Sequence, residues 1–294
     1  MYKIDAHNHP DYLGVSFDEH IRDMDRNGIE KTWLLSWETP AGEYNPASAA
    51  VLPSALGTDL AIPFSRCLDY KQRAPERFVL GYAPDPRLPD ARDRMRSAIR
   101  TYGVQVCGEI KLRMMYDNPD AIDLFRLCGE YGIPVTLHFD YPDATRTGQE
   151  YPRRNWWYGG GIDTFERVLR LCPETNFLGH APGFWCHLSN DEEGLSTAYP
   201  QGPIVPGGKI ERMLEQYPNL YCDCSAGSFF HAARRDYDYT RKLFLAFPDR
   251  FLYARDTFAN YIDEIIPNLT LPEDVLTALY HGNAERLLEM RKKA

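Results

Sequence analysis

Short apolar runs rich in β-branched and aromatic residues alternate with amphipathic stretches along the whole chain. Runs of the first kind predict strands, and stretches with apolar residues every three to four positions predict helices. The predicted strands lie at 2–7, 31–36, 78–83, 105–112, 133–139, 175–180, 219–225 and 250–255. The predicted helices lie at 17–27, 60–73, 89–102, 119–131, 161–172, 207–216, 235–246 and 272–289.

Eight strand–helix units in this order predict an α/β fold of the TIM-barrel type, a (β/α)8 barrel. The length of 294 residues fits one such barrel with long loops. A doubly wound open sheet is the alternative, but it gives no reason for the count to stop at eight. No linker, low-complexity tract or repeat divides the sequence, so we expect a single domain over 1–294.

The predicted loops are unequal on the two faces of this barrel. The stretches 37–59, 140–160 and 181–206, which run from a strand to a helix, are each longer than usual, whereas connections from helix to strand are short. In a barrel the strand-to-helix loops lie on the C-terminal face, where sites are built. We therefore expect the functional site on that face.

The first predicted strand ends in Asp5-Ala6-His7-Asn8-His9. Residues two apart in a strand point the same way, so His7 and His9 should project together from its C-terminal end. Two neighbouring imidazoles are well suited to hold one divalent metal ion.

Three further strands end in residues that could complete such a site: His138 on the fifth, His180 on the sixth and Asp256 on the eighth. Each alone is more typical of hydrogen-bonded scaffolding. Together they supply nitrogen and oxygen ligands around one axis, with a carboxylate available as a base. The pattern predicts a metal centre.

The fourth strand adds Glu109, Lys111 and Arg113 on one face. Isolated charges inside a barrel are costly, so these residues should be paired or ligating. Glu109 could bind a metal or bridge two, or it could form a buried ion pair with Lys111 that has no catalytic duty. Lys111 could instead hold a substrate carboxylate, and Arg113 lies nearest the mouth.

The loop after His138 carries Arg153, Arg154 and Trp157 ahead of three glycines. Arginine beside aromatic side chains suits a carboxylate on a planar or sugar-like ring, so these residues are candidates for substrate binding. Packing beneath a long loop is the alternative for the tryptophan.

The amino-acid composition limits the classes of molecule that the protein is expected to bind. Asp and Glu number 42 against 33 Lys and Arg, a net charge of −9, which argues against nucleic acid but allows a small anionic substrate. No apolar run approaches the ~20 residues of a membrane span. Seven scattered cysteines are typical of a reducing compartment, so we expect a cytoplasmic protein. Exposed aromatic loops suggest a homodimer.

Taken together, these motifs resemble the amidohydrolase superfamily. The similarity is greatest to the amidohydrolase-related group that includes aminocarboxymuconate-semialdehyde decarboxylase, and the segment 280–288 is similar to the closing helix of that group. The sequence departs from the group at two places. Glu109-Ile110-Lys111 is more like the TIM-barrel deoxyribonuclease branch, and Arg255 stands where many relatives have a serine. Such an arginine could reach a neighbouring carboxylate or an anionic substrate.

The resemblance implies roles for the strand-end residues. It makes His7, His9 and His138 metal ligands, and Asp256 both a ligand and a proton acceptor. It gives His180 contact with substrate or water, or with a second metal. The implied enzyme is a metal-dependent hydrolase that attacks a small carboxylate-bearing amide, ester or lactone with a metal-activated water.

Two other functions stay open. The same residues could serve a non-oxidative decarboxylase of an aromatic or diene carboxylic acid, in which no water attacks. A binding barrel without chemistry is the third possibility. The expected cofactor for either enzyme is one or two divalent ions per chain, zinc before other metals.

Overall fold

The computed structural model describes residues 1–40, 43, 60–140 and 158–291, without the side chain of Leu60. The strands are β1 (Lys3–Asn8), β2 (Ile29–Leu34), β3 (Trp37–Pro40), β4 (Leu60–Ile62), β5 (Phe78–Tyr82), β6 (Val106–Ile110), β7 (Val135–His138), β8 (Phe177–His180), β9 (Leu220–Asp223) and β10 (Phe251–Leu252). The helices are α1 (Phe17–Asn27), α2 (Phe64–Arg73), α3 (Ala91–Ser97), α4 (Pro119–Tyr131), α5 (Ile162–Leu171), α6 (Pro182–Trp185), α7 (Lys209–Gln216), α8 (Ala226–Ala233), α9 (Tyr237–Ala246), α10 (Tyr261–Leu269), α11 (Glu273–Thr277) and α12 (Asn283–Glu289).

Eight of these strands form one parallel sheet in the order β1-β2-β5-β6-β7-β8-β9-β10. Two backbone hydrogen bonds join its edges. The amide of Ala6 donates to the carbonyl of Tyr253 at 2.9 Å, and the amide of Asp256 donates to the carbonyl of His7 at 2.8 Å. The sheet therefore curls into a nearly closed barrel with helices between its strands, and the predicted fold class is confirmed.

Local sequence signals set the ends of the long helices. The Ser16 side chain accepts from the amide of Glu19, whose carboxylate accepts from the Ser16 amide, a capping box that starts α1. Asn118 caps α4 through its side chain. Gly28 and Gly132 end these two helices at φ of 67° and 65°, a left-handed conformation that glycine adopts without strain.

The prediction of a helix from 60 to 73 is wrong at its start. Leu60–Ile62 is the strand β4, which pairs antiparallel with β3 and matches Ile62 to Trp37. Pro63 explains the boundary, because a proline disfavours the helical conformation in the residue before it. The helix α2 begins only at Phe64.

The side chains that fill the barrel lumen change from apolar to polar along the barrel axis. Its N-terminal part holds an apolar cluster that includes Ile4, Ala6, Trp33, Leu35, Val79, Val106, Leu178, Tyr221, Leu252 and Ala254. Ala284 and Leu287 of α12 pack against this cluster. A second, larger cluster fills the space between the barrel and its helices. The apolar lumen thus forms a floor beneath the C-terminal mouth.

The pairing of β1 and β6 with their neighbours is irregular near the C-terminal ends of both strands. The register of β1 shifts between Asp5 and Asn8, and that of β6 shifts between Cys107 and Ile110. Ile4 and Ala6 belong to the lumen cluster, so strict alternation would turn His7 outward. The shift accompanies the turn of His7 to the inside.

Among the described residues, no helix combines the length and the apolar character needed to cross a bilayer.

Candidate metal centre

His7 and His9 meet at the C-terminal mouth of the barrel, where their Nε2 atoms are 3.2 Å apart and both side chains are buried. The other ring nitrogen of each has an acceptor. His7 Nδ1 lies 2.6 Å from Asp223 Oδ2, and His9 Nδ1 lies 2.8 Å from the carbonyl oxygen of Leu35. Because a carbonyl only accepts, His9 Nδ1 carries a proton, which leaves Nε2 as the ring nitrogen that could bind a metal.

Glu109 and Asp256 bring one carboxylate oxygen each to these nitrogens. His9 Nε2 lies 3.3 Å from Asp256 Oδ1 and 3.4 Å from Glu109 Oε2. The corresponding distances from His7 Nε2 are 3.6 Å and 3.9 Å. Ligand atoms about 2.1 Å from a tetrahedral ion stand about 3.4 Å apart. We call His7, His9, Glu109 and Asp256 the first ligand set. The ligand atoms of His7, His9 and Asp256 are all close enough together to hold one ion, and Glu109 Oε2 lies beside both histidines.

The other oxygen of Glu109 faces two more histidines. Its Oε1 lies 2.6 Å from His138 Nδ1 and 3.6 Å from His180 Nε2. We call Glu109, His138 and His180 the second ligand set, and their atoms are close enough to share an ion. His180 Nε2 also lies 3.4 Å from Asp256 Oδ2. One buried carboxylate thus stands between two groups of possible ligands.

The electrostatics of the first ligand set favour positive charge. Burial opposes protonation of His7, but the carboxylates of Asp223, Asp256 and Glu109 outweigh it and raise its pKa to about 10. Burial likewise opposes ionisation of Asp256, yet His7, His180 and His9 hold the pKa of that carboxyl well below its ordinary value. A divalent cation would compete with the His7 proton for this cluster.

The second ligand set contains a histidine of the opposite tendency. Burial and the nearby ammonium of Lys111 lower the pKa of His138 to about 3, although Glu109 opposes that shift. For Glu109, burial again works against ionisation, but contact with His138 and His9 holds its pKa well below the ordinary value. A neutral imidazole beside an ionised carboxylate is the state in which both residues can ligate a metal.

Sequence reasoning missed two residues that orient the histidines. Asp223 contacts His7 and also lies 3.6 Å from His180 Nδ1, and Ser225 Oγ lies 2.9 Å from that same nitrogen. Asp223 ends β9 between two cysteines. Cys222 and Cys224 pack in the cluster outside the barrel, and alternation along the strand therefore places Asp223 inside. The alternation of this strand was the sequence signal that could have identified Asp223 as a residue of the barrel lumen.

Arg255 makes the first of its two expected contacts, with a neighbouring carboxylate. Its Nε lies 3.0 Å from Asp5 Oδ2, and its Nη1 lies 2.7 Å from Asp23 Oδ2 on α1. Asn8 donates to the same Asp5 oxygen at 3.1 Å. These contacts fix the backbone next to His7 and Asp256.

A cavity of about 180 Å³ opens over the ligands. It is lined by Tyr12, Lys111, His138, Asp140, His180, Ala181, Pro182, Tyr199, Ala226, Ser228 and Asp256. The Lys111 Nζ sits 3.9 Å from the ring centre of Trp37, and the residue is 8% exposed. Within the described part of the chain Lys111 forms no salt bridge, so the pairing with Glu109 left open by the sequence is not formed. Its charge faces the cavity.

The other predicted substrate-binding residues are not brought to this cavity. Arg113 is half-buried, and its amide donates to a carboxylate oxygen of Glu43 at 3.0 Å. It is not among the residues that line the cavity. Arg153, Arg154 and Trp157 lie outside the described residues.

No protein-family model matches the chain, and no curated protein matches it in sequence. Solved structures match almost its whole length. An uncharacterized TIM-barrel protein from Bordetella bronchiseptica is 17% identical, with a TM-score of 0.63 and 99% of each chain covered. A dihydroxybenzoic acid decarboxylase from Polaromonas sp. JS666, with bound manganese and the inhibitor 2-nitroresorcinol, is 18% identical, with a TM-score of 0.63, 99% of this chain and 98% of that one covered.

A third solved structure, from Pseudomonas putida, is assigned as a 2-pyrone-4,6-dicarboxylic acid hydrolase. It is 13% identical, with a TM-score of 0.60 and 99% of each chain covered. These neighbours include a decarboxylase and a protein assigned as a hydrolase, and their similarity to this chain confirms the predicted barrel fold. Both hydrolases and decarboxylases share that fold.

Proposed function

We propose that this protein is a metal-dependent hydrolase that acts on a small carboxylate-bearing amide, ester or lactone. The observation that carries the proposal is the position of Glu109. Its Oε2 faces His9 at 3.4 Å in the first ligand set, and its Oε1 faces His138 at 2.6 Å in the second. A carboxylate shared in this way is the arrangement that two-metal hydrolytic sites use.

The donors suit a divalent ion of borderline hardness, since imidazole and carboxylate bind zinc and manganese alike. The first ligand set would hold one ion, and the second could hold another. Such an ion supplies positive charge that polarises a carbonyl and makes water more acidic. We further propose that residues 1–294 form a single domain, that the protein is cytoplasmic and that it forms a homodimer.

The residues of the chain supply the remaining steps. Asp256 is ionised and therefore able to accept a proton at Oδ2, which lies 3.4 Å from His180 Nε2. His180 can pass that proton to a leaving group, because Ser225 holds its other nitrogen at 2.9 Å. Lys111 binds the substrate carboxylate through an ammonium that has no carboxylate partner among the described residues.

A decarboxylase is the second candidate, and one specific observation favours it. The Polaromonas neighbour with bound manganese acts on a dihydroxybenzoic acid and covers nearly the whole chain. In that reaction Lys111 would hold the carboxylate while His180 delivers a proton to carbon. No water would enter the product.

The test compares the two reactions on one preparation. The full chain, loaded with Zn²⁺ or Mn²⁺, is incubated in H₂¹⁸O with 2-pyrone-4,6-dicarboxylate and, separately, with 2,6-dihydroxybenzoate. Incorporation of ¹⁸O into an opened lactone supports the hydrolase. Release of CO₂ from the benzoate, with no ¹⁸O in the aromatic product, supports the decarboxylase and overturns the main proposal.

Two variants make this assay specific for the site. Asp256→Asn should lower turnover about 10²- to 10⁴-fold, the usual contribution of a positioned acid or base. His281→Asn is the matched control, because His281 contacts Glu285 on the outer surface and belongs to neither ligand set. It should keep both metal content and turnover.

A further inference from the structure

Tyr12 lies beside the ligands, although no sequence motif pointed to it. It lines the same cavity as Lys111 and Asp256. Its ring meets the His9 ring edge-on, with 5.2 Å between centroids and an interplanar angle of 70°. The phenol therefore borders the first ligand set.

The backbone around Tyr12 is strained. Asp11 and Leu13, on either side of it, have φ values of 59° and 57°. Residues with side chains rarely adopt this left-handed region, and they persist there only where the surroundings fix them. A tight turn of this kind sets the direction of the side chain between them.

Three side-chain hydrogen bonds fix Asp11. Its carboxylate accepts from Arg66 Nε at 2.6 Å and from Arg66 Nη2 at 3.0 Å. The Tyr70 hydroxyl donates to the same carboxylate at 3.0 Å, and the Asp11 amide donates back to that hydroxyl at 3.1 Å. We call Asp11, Arg66 and Tyr70 the Asp11 clasp. It anchors the turn to α2 and so holds Tyr12 over the cavity.

The Tyr12 hydroxyl has the properties of a free donor. A tyrosine hydroxyl ordinarily loses its proton only at about pH 10, so at neutral pH the phenol is a donor without charge. The hydroxyl has no hydrogen-bond partner among the described residues. A lysine at position 12 would bring a positive charge to the cavity, and a phenylalanine there would have no hydrogen-bond donor.

We propose that Tyr12 donates a hydrogen bond to the reacting carboxyl or carbonyl oxygen of the substrate, and that the Asp11 clasp is the device that positions it. This inference rests on the proposed function for the nature of the substrate oxygen. A fixed neutral donor stabilises negative charge that develops on that oxygen without introducing a further ion into a site rich in carboxylates.

The first experiment locates the Tyr12 ring without any assay of turnover. The full chain carries 3-fluorotyrosine at position 12, and its ¹⁹F spectrum is recorded with Zn²⁺ and with Mn²⁺ while metal content is measured. We expect a narrow signal with Zn²⁺ that paramagnetic Mn²⁺ broadens beyond detection. A matched probe at Tyr102, which is 50% exposed on the outer surface, should stay narrow. A narrow position-12 signal in protein that holds Mn²⁺ overturns the proposal.

The second experiment tests the hydrogen bond with benzoate as the probe. Benzoate should shift the position-12 signal, and Tyr12→Phe should weaken benzoate binding about 3- to 10-fold, the usual range for one hydrogen bond. Protein that binds no metal would refute the proposed function, and the benzoate shift would then decide the role of Tyr12 by itself. An unshifted signal at saturating benzoate overturns that role.

A double-mutant cycle tests the clasp. Arg66→Met should weaken benzoate binding in the wild-type background and have no further effect in Tyr12→Phe, because the clasp acts only through the phenol. Equal weakening in both backgrounds would show that Arg66 acts independently of Tyr12 and would overturn its positioning role.

Discussion

The two ends of the barrel lumen are chemical opposites separated by a few residues. On β8, Leu178 belongs to the apolar floor, and His180, two positions later on the same face, belongs to the second ligand set. On β1 the apolar pair Ile4 and Ala6 gives way to His7. The comparison shows that the two ends of one barrel differ in composition: the floor is apolar and packs the lumen, and the mouth gathers the histidines and carboxylates of the two ligand sets.

This division has a physical reason. Burial of a Leu, Ile or Val side chain contributes about 1.5–3 kcal/mol to stability. Buried carboxylates cost free energy unless they are paired or bind a cation. The carboxylates of Glu109, Asp223 and Asp256 lie close together around His7 at the mouth. Positive charge on His7 or a bound cation would stabilise them, and the apolar floor holds the strands that carry them.

The largest expected effect on stability comes from the floor. Leu178→Ala should lower the free energy of unfolding by about 2–5 kcal/mol, because it leaves a cavity in a closely packed lumen. Urea unfolding of the metal-free chain measures this loss. Metal affinity of the folded variant should stay as in the wild type. A loss much smaller than about 1 kcal/mol would show that the lumen cluster is not the main support.

A variant at the mouth should differ from Leu178→Ala in its metal affinity. Glu109→Gln should lower Mn²⁺ affinity by more than about 100-fold, since removal of a direct ligand should exceed the 10- to 100-fold effect of an outer partner. The unfolding free energy of the metal-free chain should also fall, because the variant loses the ionised carboxylate whose low pKa comes from contact with His138 and His9.

A titration of the variant with Mn²⁺ measures this effect, and Glu38→Gln is the matched control. Glu38 accepts from the amide of Phe64 at 2.8 Å and belongs to neither ligand set. Unchanged Mn²⁺ affinity in Glu109→Gln would remove Glu109 from the metal centre.

Asp223 should have a smaller effect than Glu109. Asp223→Asn keeps a group beside His7 Nδ1, which it contacts at 2.6 Å, but removes the charge. We expect a 10- to 100-fold loss of metal affinity, the range for residues that orient a ligand. A loss as large as that of Glu109→Gln in the same titration would instead make Asp223 a ligand itself.

His20 offers a contrast, because it is buried outside the lumen. The rings of Tyr70, Phe78 and Phe258 surround it, and neither of its ring nitrogens has a hydrogen-bond partner among the described residues. Burial, with a smaller contribution from Arg255, lowers its pKa from 6.5 to about 3. Between these values the unfolded chain binds the extra proton, so stability falls as the pH drops below about 6.5.

His20→Phe should remove this part of the acid sensitivity. At pH 5 the wild type should lose about 1–2 kcal/mol through His20 that the variant keeps. Urea unfolding of both chains at pH 7 and pH 5 measures the difference. The same pH dependence in both chains would show that His20 is not held neutral.

Much of this arrangement could be predicted from the sequence. All eight barrel strands follow from short apolar runs, since strands buried on both sides need them. Parallel barrel strands all end at one mouth, so a polar residue at the end of a strand can be placed there from the sequence alone. This is how the sequence placed His7, His9, His138, His180 and Asp256 at the mouth.

What escaped prediction depends on contacts between distant segments. The antiparallel pairing of β3 with β4 joins Trp37 to Ile62, which lie far apart in the sequence. The clasp joins Asp11 to Arg66 on α2, and neither residue stands in a recognisable motif. The helix α8 escaped because its small and aromatic residues give no clear amphipathic pattern. Tertiary packing decides such features.

The central claim is that the mouth of the barrel is a divalent metal centre. The most direct test is metal content per chain, measured on protein purified without added metal or chelator and again after dialysis against Mn²⁺. We expect at least one equivalent in the wild type and almost none in a His7→Asn, His9→Asn double variant that remains folded. A wild-type chain that holds no metal and takes up none from solution would contradict the account.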